Sequence, residues 1–254
     1  MIDTTSPPQE TVELRSGLAR FLNQPLSKFI DSVPLTKSHK SITVGAVKWG
    51  VYAFYDYDDE PIYVGQTRES LGSRIGRHLT NQRTDAVAMS VLDPFEVLTV
   101  EVWPMTQYQN VKGDPKRVPE ARAAADHLDQ LERTVFSQLL QSSQFRQILN
   151  EKDPPRVEPC ALPISIRGEI VPADVRHLRE HPDARIARRA QTIARLTQII
   201  AGRDVKAGLR RALATQADRM AYLANARFEA LGGQAAVEVT SEDDASAEDN
   251  FVSE

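Results

Sequence analysis

Two strand-like segments joined by an acidic turn most constrain the fold of this chain. Residues 49–55 read WGVYAFY, residues 61–67 read PIYVGQT, and the turn between them reads DYDDE. Aromatic and β-branched residues favour strands, and a polar turn between two such runs is typical of a β-hairpin. The sequence therefore predicts a hairpin that begins near Ala46.

Three further elements follow the hairpin. Residues 69–82 place four side chains on one helical face, namely Leu71, Ile75, His78 and Leu79. Residues 95–104 alternate like a strand that stops at its proline. Residues 119–142 begin with a proline suited to a helix start and carry an apolar stripe of Leu128, Leu131, Val135 and Leu139. The order β-β-α-β-α predicts an α+β unit over residues 46–153, with a three-stranded antiparallel sheet flanked by helices.

Composition divides the rest of the chain into four segments. Residues 1–45 are predicted to be an extension that is helical from about residue 11, with an apolar face of Val12, Leu14, Leu18, Phe21 and Leu22, then Leu26, Phe29 and Ile30 before a break at Pro34. Residues 154–172 are predicted to be a proline-rich linker. Residues 173–231 are predicted to form a helical hairpin, hinged near Gly202 and kinked or restarted at Pro182. Residues 232–254 are predicted to be a disordered acidic tail.

Charge is segregated along the chain. The formal net charge is −4, yet residues 174–231 contain twelve Arg or Lys against six Asp or Glu, and residues 232–254 contain seven acidic residues and no basic one. A basic surface that can follow DNA phosphates is predicted from Arg185, Arg188, Arg189, Arg195, Arg203, Lys206, Arg210 and Arg211. A solvated helix face is the alternative, and the same helices are a candidate surface for a homo-oligomer or a protein partner.

The composition argues against two other classes of protein. No stretch approaches the roughly eighteen apolar residues that span a bilayer, and the N-terminus lacks the features of a secretion signal. A soluble, cytoplasmic protein with no membrane partner is therefore expected. The single cysteine, Cys160, cannot form an internal disulfide or a CxxC metal or redox site.

The hairpin carries paired motifs that resemble those of a known family. Gly50-Val51-Tyr52 lies on the first strand and Tyr63-Val64-Gly65 on the second, with ten residues between the two tyrosines. This pair resembles the GIY and YIG motifs of the GIY-YIG nuclease superfamily, with valine in place of isoleucine in both. The resemblance continues in order through Arg74 and His78 on the next helix and Glu132 on the long helix.

The resemblance implies a role for each of six residues. Tyr52 would be the general base, with its phenol pKa lowered by nearby cations, and Tyr63 would help to hold the water or the phosphate. Arg74 would clamp the scissile phosphate, and His78 would bond to the phosphate or to the base tyrosine. Glu132 would hold a divalent cation, Mg²⁺ or another such as Mn²⁺. Asn150, eighteen residues after Glu132, would close the site.

Other interpretations of these residues stay open from the sequence. Arg77 or Arg83 is an alternative phosphate contact, Glu120 is an alternative metal ligand, and His78 on an apolar face is an alternative core residue. Gln66, Thr67 and Arg68 follow the second motif and are candidates to contact the DNA backbone near the cut.

The resemblance implies that the chain is a metal-dependent endonuclease that hydrolyses phosphodiester bonds in DNA. A non-catalytic nucleic-acid-binding or assembly protein that retains the fold is the alternative. Intact Tyr52, Tyr63, Arg74 and Glu132 favour the enzyme, because binding alone does not need a metal carboxylate. No zinc ribbon or helix-turn-helix signature indicates which DNA is cut.

Overall fold

A computed structural model describes residues 9–29, 42–80, 91–150 and 152–233. The helices are α1 (Gln9–Leu22), α2 (Leu71–Leu79), α3 (Pro119–Ser142), α4 (Ala173–Arg179), α5 (Pro182–Gly202) and α6 (Ala207–Ala230). The strands are β1 (Lys48–Tyr55), β2 (Pro61–Ser70), β3 (Thr99–Pro104) and β4 (Ile166–Glu169). The predicted hairpin, the β-β-α-β-α order and the mixed α+β class are confirmed.

The four strands form one antiparallel sheet in the order β2-β1-β3-β4. The prediction of three strands is therefore wrong, because β4 arises from within residues 154–172 and pairs with β3 at the sheet edge. Only Ile166 of its four residues is buried. A four-residue edge strand with one buried side chain has too little alternation to be recognised from sequence.

Alternation along β1 builds an apolar core on each face of the sheet. Tyr52 and Phe54 point to the face that is covered by α1, α2 and the C-terminal helices. Val51, Ala53 and Tyr55 point to the opposite face, which is covered by α3. The sheet thus separates two layers of helices, and the two motif strands lie between them.

The N-terminal extension packs against the α+β unit through α1. Leu14, Leu18, Phe21 and Leu22 are buried as predicted, whereas Val12 is 49% exposed and does not belong to this face. A Cβ on Gly17 would lie 1.8 Å from the carbonyl oxygen of Ile170, so the glycine allows α1 to contact the chain directly after β4. Ile30 and Pro34 lie outside the described residues.

The C-terminal helices form the predicted hairpin. Pro182 is the first residue of α5, so it restarts a helix after α4 rather than kinking one. The turn between α5 and α6 follows Gly202, and the two helices pack against each other. None of the helices within the described ranges is long and apolar enough to cross a membrane.

Four arginines of this hairpin dock it onto the acidic turn of the β1–β2 hairpin. Eight side chains form this arginine–carboxylate cluster: Asp56, Asp58, Glu60, Glu96, Arg185, Arg188, Arg189 and Arg219. Asp56 lies at its centre, with one carboxylate oxygen 2.7 Å from Arg219 and 2.9 Å from Arg189. Both Asp56 and Arg219 are almost fully buried. The cluster contains four carboxylates and four guanidinium groups, so its formal charges cancel.

The predicted basic surface is therefore wrong for three of its members. Arg185 and Arg189 are buried, and Arg188 bonds to Glu96 at 2.7 Å. Neither a phosphate track nor a solvated face describes these residues, because carboxylates of the same chain neutralise them. Five members are exposed, and for them the surface stays a prediction: Arg195, Arg203, Lys206, Arg210 and Arg211, of which Arg211 pairs with Asp153.

Candidate active site

The register of the hairpin brings the two motifs into direct contact. Tyr52 pairs with Gly65 across β1 and β2. A Cβ on Gly65 would lie 2.6 Å from the Tyr52 hydroxyl and 2.9 Å from the Tyr63 ring, so only glycine leaves room for both tyrosines. Gly50 has a similar constraint, since its Cβ would meet the Trp103 carbonyl oxygen at 2.9 Å. The two motif glycines are thus required by the close approach of neighbouring groups.

Three aromatic rings form the wall between β1, β2 and α2. The Tyr52 and Tyr63 ring centres are 6.1 Å apart, and the His78 ring is 5.8 Å from Tyr52 and 5.0 Å from Tyr63. His78 meets the Tyr52 ring edge-on, a favourable arrangement for aromatic pairs. The predicted position of His78 beside the tyrosines is therefore observed, and its ring lines the adjoining cavity.

Arg74 reaches the same wall from α2. The helix begins after Ser70, whose hydroxyl accepts a hydrogen bond from the Ser73 amide and so caps the helix. Arg74 lies one turn into α2 and donates from Nε to the Tyr52 hydroxyl at 3.3 Å. Arg77, the alternative phosphate contact, forms a paired contact with Glu69. Arg83 lies outside the described residues.

Glu132 enters the site from the middle of α3. It is 9% exposed, and Gln66 donates to it at 3.0 Å and to Asp129 at 2.7 Å. Burial, and after it the charge of Asp129, raise the pKa of Glu132 to about 7, against the opposing effects of Gln66 and Arg74. Near neutral pH the Glu132 carboxyl group is therefore protonated in some molecules and ionised in others.

Two of these contacts were not anticipated. Gln66 was expected to contact DNA backbone, but its amide bridges two carboxylates. Asp129 was not singled out, although its position three residues before Glu132 on a helix places both on one face. That spacing was the available signal.

Asn150 is close to the site but bonds only to backbone there. Its side-chain amide donates to the Val64 carbonyl oxygen at 2.8 Å and accepts from the Val64 amide at 3.1 Å. Asn150 therefore holds β2 at the second motif and mimics one more strand partner. The long interval from Glu132 is taken up by the end of α3 and the turn after it.

One cavity of about 330 Å³ collects these side chains. It is lined by Tyr63, Arg74, His78, Glu132 and Asn150, together with Gln66 and the segment after Asn150. Tyr52 is fully buried and is not part of the lining; it lies beneath Tyr63 and Arg74. Glu120, the alternative metal ligand, is exposed at the start of α3 and does not line the cavity.

The expectation that cations lower the Tyr52 pKa is wrong for the net effect. Burial raises the pKa of Tyr52 above its ordinary value of 10.0, although Arg74 opposes this. Burial likewise raises the pKa of Tyr63 well above that value. Desolvation outweighs a single guanidinium because the phenolate would lose all of its water contacts. Both phenols are therefore protonated at neutral pH.

The residues present fit a single hard divalent cation. Carboxylate and amide oxygens are ligands that Mg²⁺ accepts, and such an ion keeps several waters, so one carboxylate suffices. The buried Glu132 has a raised pKa, which a bound cation would reverse. No cluster of three or more His, Cys, Asp or Glu suited to a metal occurs within the described ranges, so a dedicated all-protein cage is not formed there.

The hairpin motifs and the helix with Arg74 and His78 lie within one segment of the fold. The family model described as the GIY-YIG catalytic domain matches residues 48–110, which confirms the resemblance and assigns this segment to that nuclease family. The match includes Tyr52, Tyr63, Arg74 and His78 and ends before Glu132 and Asn150. No curated protein and no solved structure gives a significant match to the chain.

Proposed function

We propose that this chain is a divalent-metal-dependent DNA endonuclease. The observation that carries the proposal is the convergence of Tyr63, Arg74, His78 and Glu132, from three separate elements, on one cavity. Hydrolysis of a phosphodiester needs a positioned water, a base, and positive charge beside the phosphate. These four side chains and Tyr52 beneath them supply groups suited to each task.

Arg74 holds the scissile phosphate. Among the described residues its guanidinium bonds only through Nε, to Tyr52, which leaves the terminal nitrogens for phosphate oxygens. The planar fork suits this task, since two parallel N–H groups match two phosphate oxygens. His78, against both tyrosine rings, supplies a further donor at the same wall.

The two tyrosines divide the handling of the water. Tyr63 lines the cavity and orients the water or the phosphate, whereas Tyr52 lies behind it and takes the proton. Arg74 connects Tyr52 to the phosphate, so phosphate binding and proton transfer share one guanidinium. Because burial raises the Tyr52 pKa, ionisation of Tyr52 limits the rate at neutral pH.

Glu132 holds the cation, Mg²⁺ or Mn²⁺. When bound, such an ion neutralises charge on the phosphate and on the leaving oxygen. Glu132 must be ionised to bind the cation. Its carboxylate oxygens must then serve both the ion and the hydrogen bond from the Gln66 amide. Asn150 acts as a positioning residue through the Val64 backbone.

The test is cleavage of DNA by the full chain. Purified protein is incubated with supercoiled plasmid, single-stranded DNA and branched DNA, with Mg²⁺ or with EDTA, and the ends are mapped. Cutting by the wild type with Mg²⁺ alone is expected. Glu132→Gln should abolish it while DNA binding persists, and Glu120→Gln on the same helix is the matched control that should cut normally.

Absence of cutting on all three substrates would overturn the proposal in favour of a binding or assembly role. Equal cutting by Glu132→Gln and the wild type would remove Glu132 from the site. Loss of cutting in Glu120→Gln alone would reassign the metal carboxylate.

A further inference from the structure

A second, basic groove adjoins the catalytic cavity. It has a volume of about 920 Å³ and lies along the C-terminal half of α3 and the chain that follows Asn150. Asp153 lines both the cavity and the groove, so the two spaces adjoin. The charged residues that face the groove are Arg133, Arg146, Arg156, Arg211, Asp153 and Glu158. Four arginines against two carboxylates give the groove a positive charge.

Three of these arginines are available to a ligand. Arg211 is paired with Asp153 at 2.7 Å. Arg133, Arg146 and Arg156 have no carboxylate partner in the part of the chain that the structure describes. They differ in this from the arginines of the arginine–carboxylate cluster, each of which bonds to acidic side chains of the same chain.

Two of these arginines are close along the chain to residues that line the cavity. Arg133 directly follows Glu132 on α3, and Arg156 follows the two prolines that line the cavity. Arg146 has a φ of 52°, a left-handed conformation that is costly for a residue with a Cβ. Its turn is held by Glu60, which accepts from the Ser143 hydroxyl and the Gln144 amide. The end of α3 and the turn that follows it therefore define this part of the groove.

We propose that this groove binds the sugar–phosphate backbone of the DNA strand next to the scissile phosphate. The inference rests on the proposed endonuclease function and adds a path for the substrate. Guanidinium groups without carboxylate partners, in a groove that adjoins the proposed phosphate-binding cavity, match the charge of a polyanion. Such contacts fix the position of the strand and carry no sequence information.

The test compares two sets of charge removals in the full chain. The groove variant is Arg133→Gln/Arg146→Gln/Arg156→Gln. The matched control is Arg15→Gln/Arg20→Gln/Lys112→Gln, which removes three exposed positive charges outside the groove and outside the predicted basic surface. Binding to a fluorescently labelled duplex is measured by anisotropy in EDTA, over a range of NaCl concentrations, so that cutting does not contribute. Melting temperatures establish that both variants are folded.

The groove variant is expected to bind on the order of tenfold more weakly, with the slope of log Kd against log salt reduced by about 3, whereas the control keeps the wild-type slope. Arg146→Gln and Arg156→Gln alone, at exposed positions, should each reduce the slope by about 1 if the triple variant is unstable.

Equal slopes for the wild type and the groove variant would overturn the inference, as would a loss confined to the control. Absence of DNA binding by the wild type would overturn it as well, and would leave an acidic protein surface as the occupant to test. Failure of the proposed function has a different signature, since a wild type that binds through the groove but does not cut with Mg²⁺ leaves this inference standing.

Discussion

Tyr52 and Tyr63 carry the same functional group at different depths. Tyr63 reaches the cavity, whereas Tyr52 is fully buried behind it and bonds to Arg74. Desolvation keeps both phenols protonated at neutral pH. In the proposed mechanism this difference in depth gives the two tyrosines different tasks, and substitution with phenylalanine tests those tasks separately because it removes only the hydroxyl.

Tyr52→Phe is expected to lower single-turnover cleavage by about a hundredfold or more and to remove the rise of the rate with alkaline pH. Tyr63→Phe should lower the rate but keep that rise, because the ionising group is still present. The rates are measured above about pH 8, where Glu132 is already ionised. Tyr55→Phe on the opposite face of β1 is the control. A Tyr52→Phe enzyme with an unchanged pH profile would move the base to His78.

Glu132 links stability to pH in the metal-free protein. Its pKa is about 7 in the folded protein against an ordinary value of 4.5, so the folded state is favoured below pH 4.5 and this advantage is lost as the pH rises to 7. Glu132→Gln does not titrate. In EDTA the variant should therefore gain up to about 3 kcal/mol of unfolding free energy over the wild type by pH 7.5, with little difference near pH 4.

Urea unfolding at a series of pH values measures this effect. Asp129→Asn, which removes a neighbouring charge that raises the Glu132 pKa, should give a weaker pH dependence than the wild type. If the unfolding free energies of the wild type and of Glu132→Gln depend on pH in the same way, the pKa of Glu132 is not raised by folding. Excess Mg²⁺ should narrow the difference, because the ion stabilises only the wild type.

At the scale of elements, β2 is fixed from both sides. Tyr52 packs against Gly65 on one side, and Asn150 bonds to both backbone groups of Val64 on the other. The second motif is therefore positioned by a side chain from the neighbouring strand and by one from the end of the α3 segment. A small displacement of β2 would move Tyr63 and Gln66 together.

Two glycine-to-alanine substitutions test this arrangement. Gly65→Ala places a methyl group 2.6 Å from the Tyr52 hydroxyl, so it should cost roughly 1–3 kcal/mol and reduce cleavage. Gly76→Ala is the matched control, since its Cβ meets no atom within 4 Å and it lies in α2. It should stabilise the protein by about 0.5–1 kcal/mol. Thermal melting of both variants measures these changes in stability. An unchanged melting temperature for Gly65→Ala would contradict the close packing.

Sequence alone predicted the elements whose residues repeat with a clear period. The β1–β2 hairpin, α2 with Arg74 and His78, and α3 from Pro119 to Ser142 match their predicted bounds closely. Strand β4 is too short to show a period, and its pairing depends on β3 at a distance. The Gln66–Asp129–Glu132 contact also depends on the way in which β2 packs on α3. Tertiary contacts of this kind leave no local pattern.

At the scale of the whole molecule, a buried charge network joins the C-terminal helices to the turn of the β1–β2 hairpin and to Glu96. The sequence could not distinguish this network from an exposed basic surface, because no local pattern separates a buried arginine from an exposed one. Only the position of Asp56 and Glu96 opposite α5 and α6 shows that Arg185 and Arg189 are internal. The packing of the C-terminal helices therefore depends on arginines that the sequence predicts as DNA contacts.

Asp56→Asn should destabilise the protein by about 3–5 kcal/mol, because it removes the central carboxylate and leaves the four guanidinium groups of the cluster with three carboxylates. Asp58→Asn is the matched control. The Asp58 side chain is 40% exposed and pairs only with Arg185, so its loss should cost no more than about 1 kcal/mol. Chemical denaturation measures both. A cost for Asp56→Asn as small as that for Asp58→Asn would mean that water reaches the cluster.

The arginine–carboxylate cluster also bears on how such a protein can be inherited. Asp56 and Arg219 are 163 positions apart along the chain, yet they bond to each other in the interior, where each charge needs partners of opposite sign. A recombination event that joined this hairpin turn to unrelated C-terminal helices would bury carboxylates beside side chains that had never been selected to meet them. We therefore expect exchange of either the turn or the two helices alone to destabilise the protein, and a change of sign on one side to require a matching change on the other.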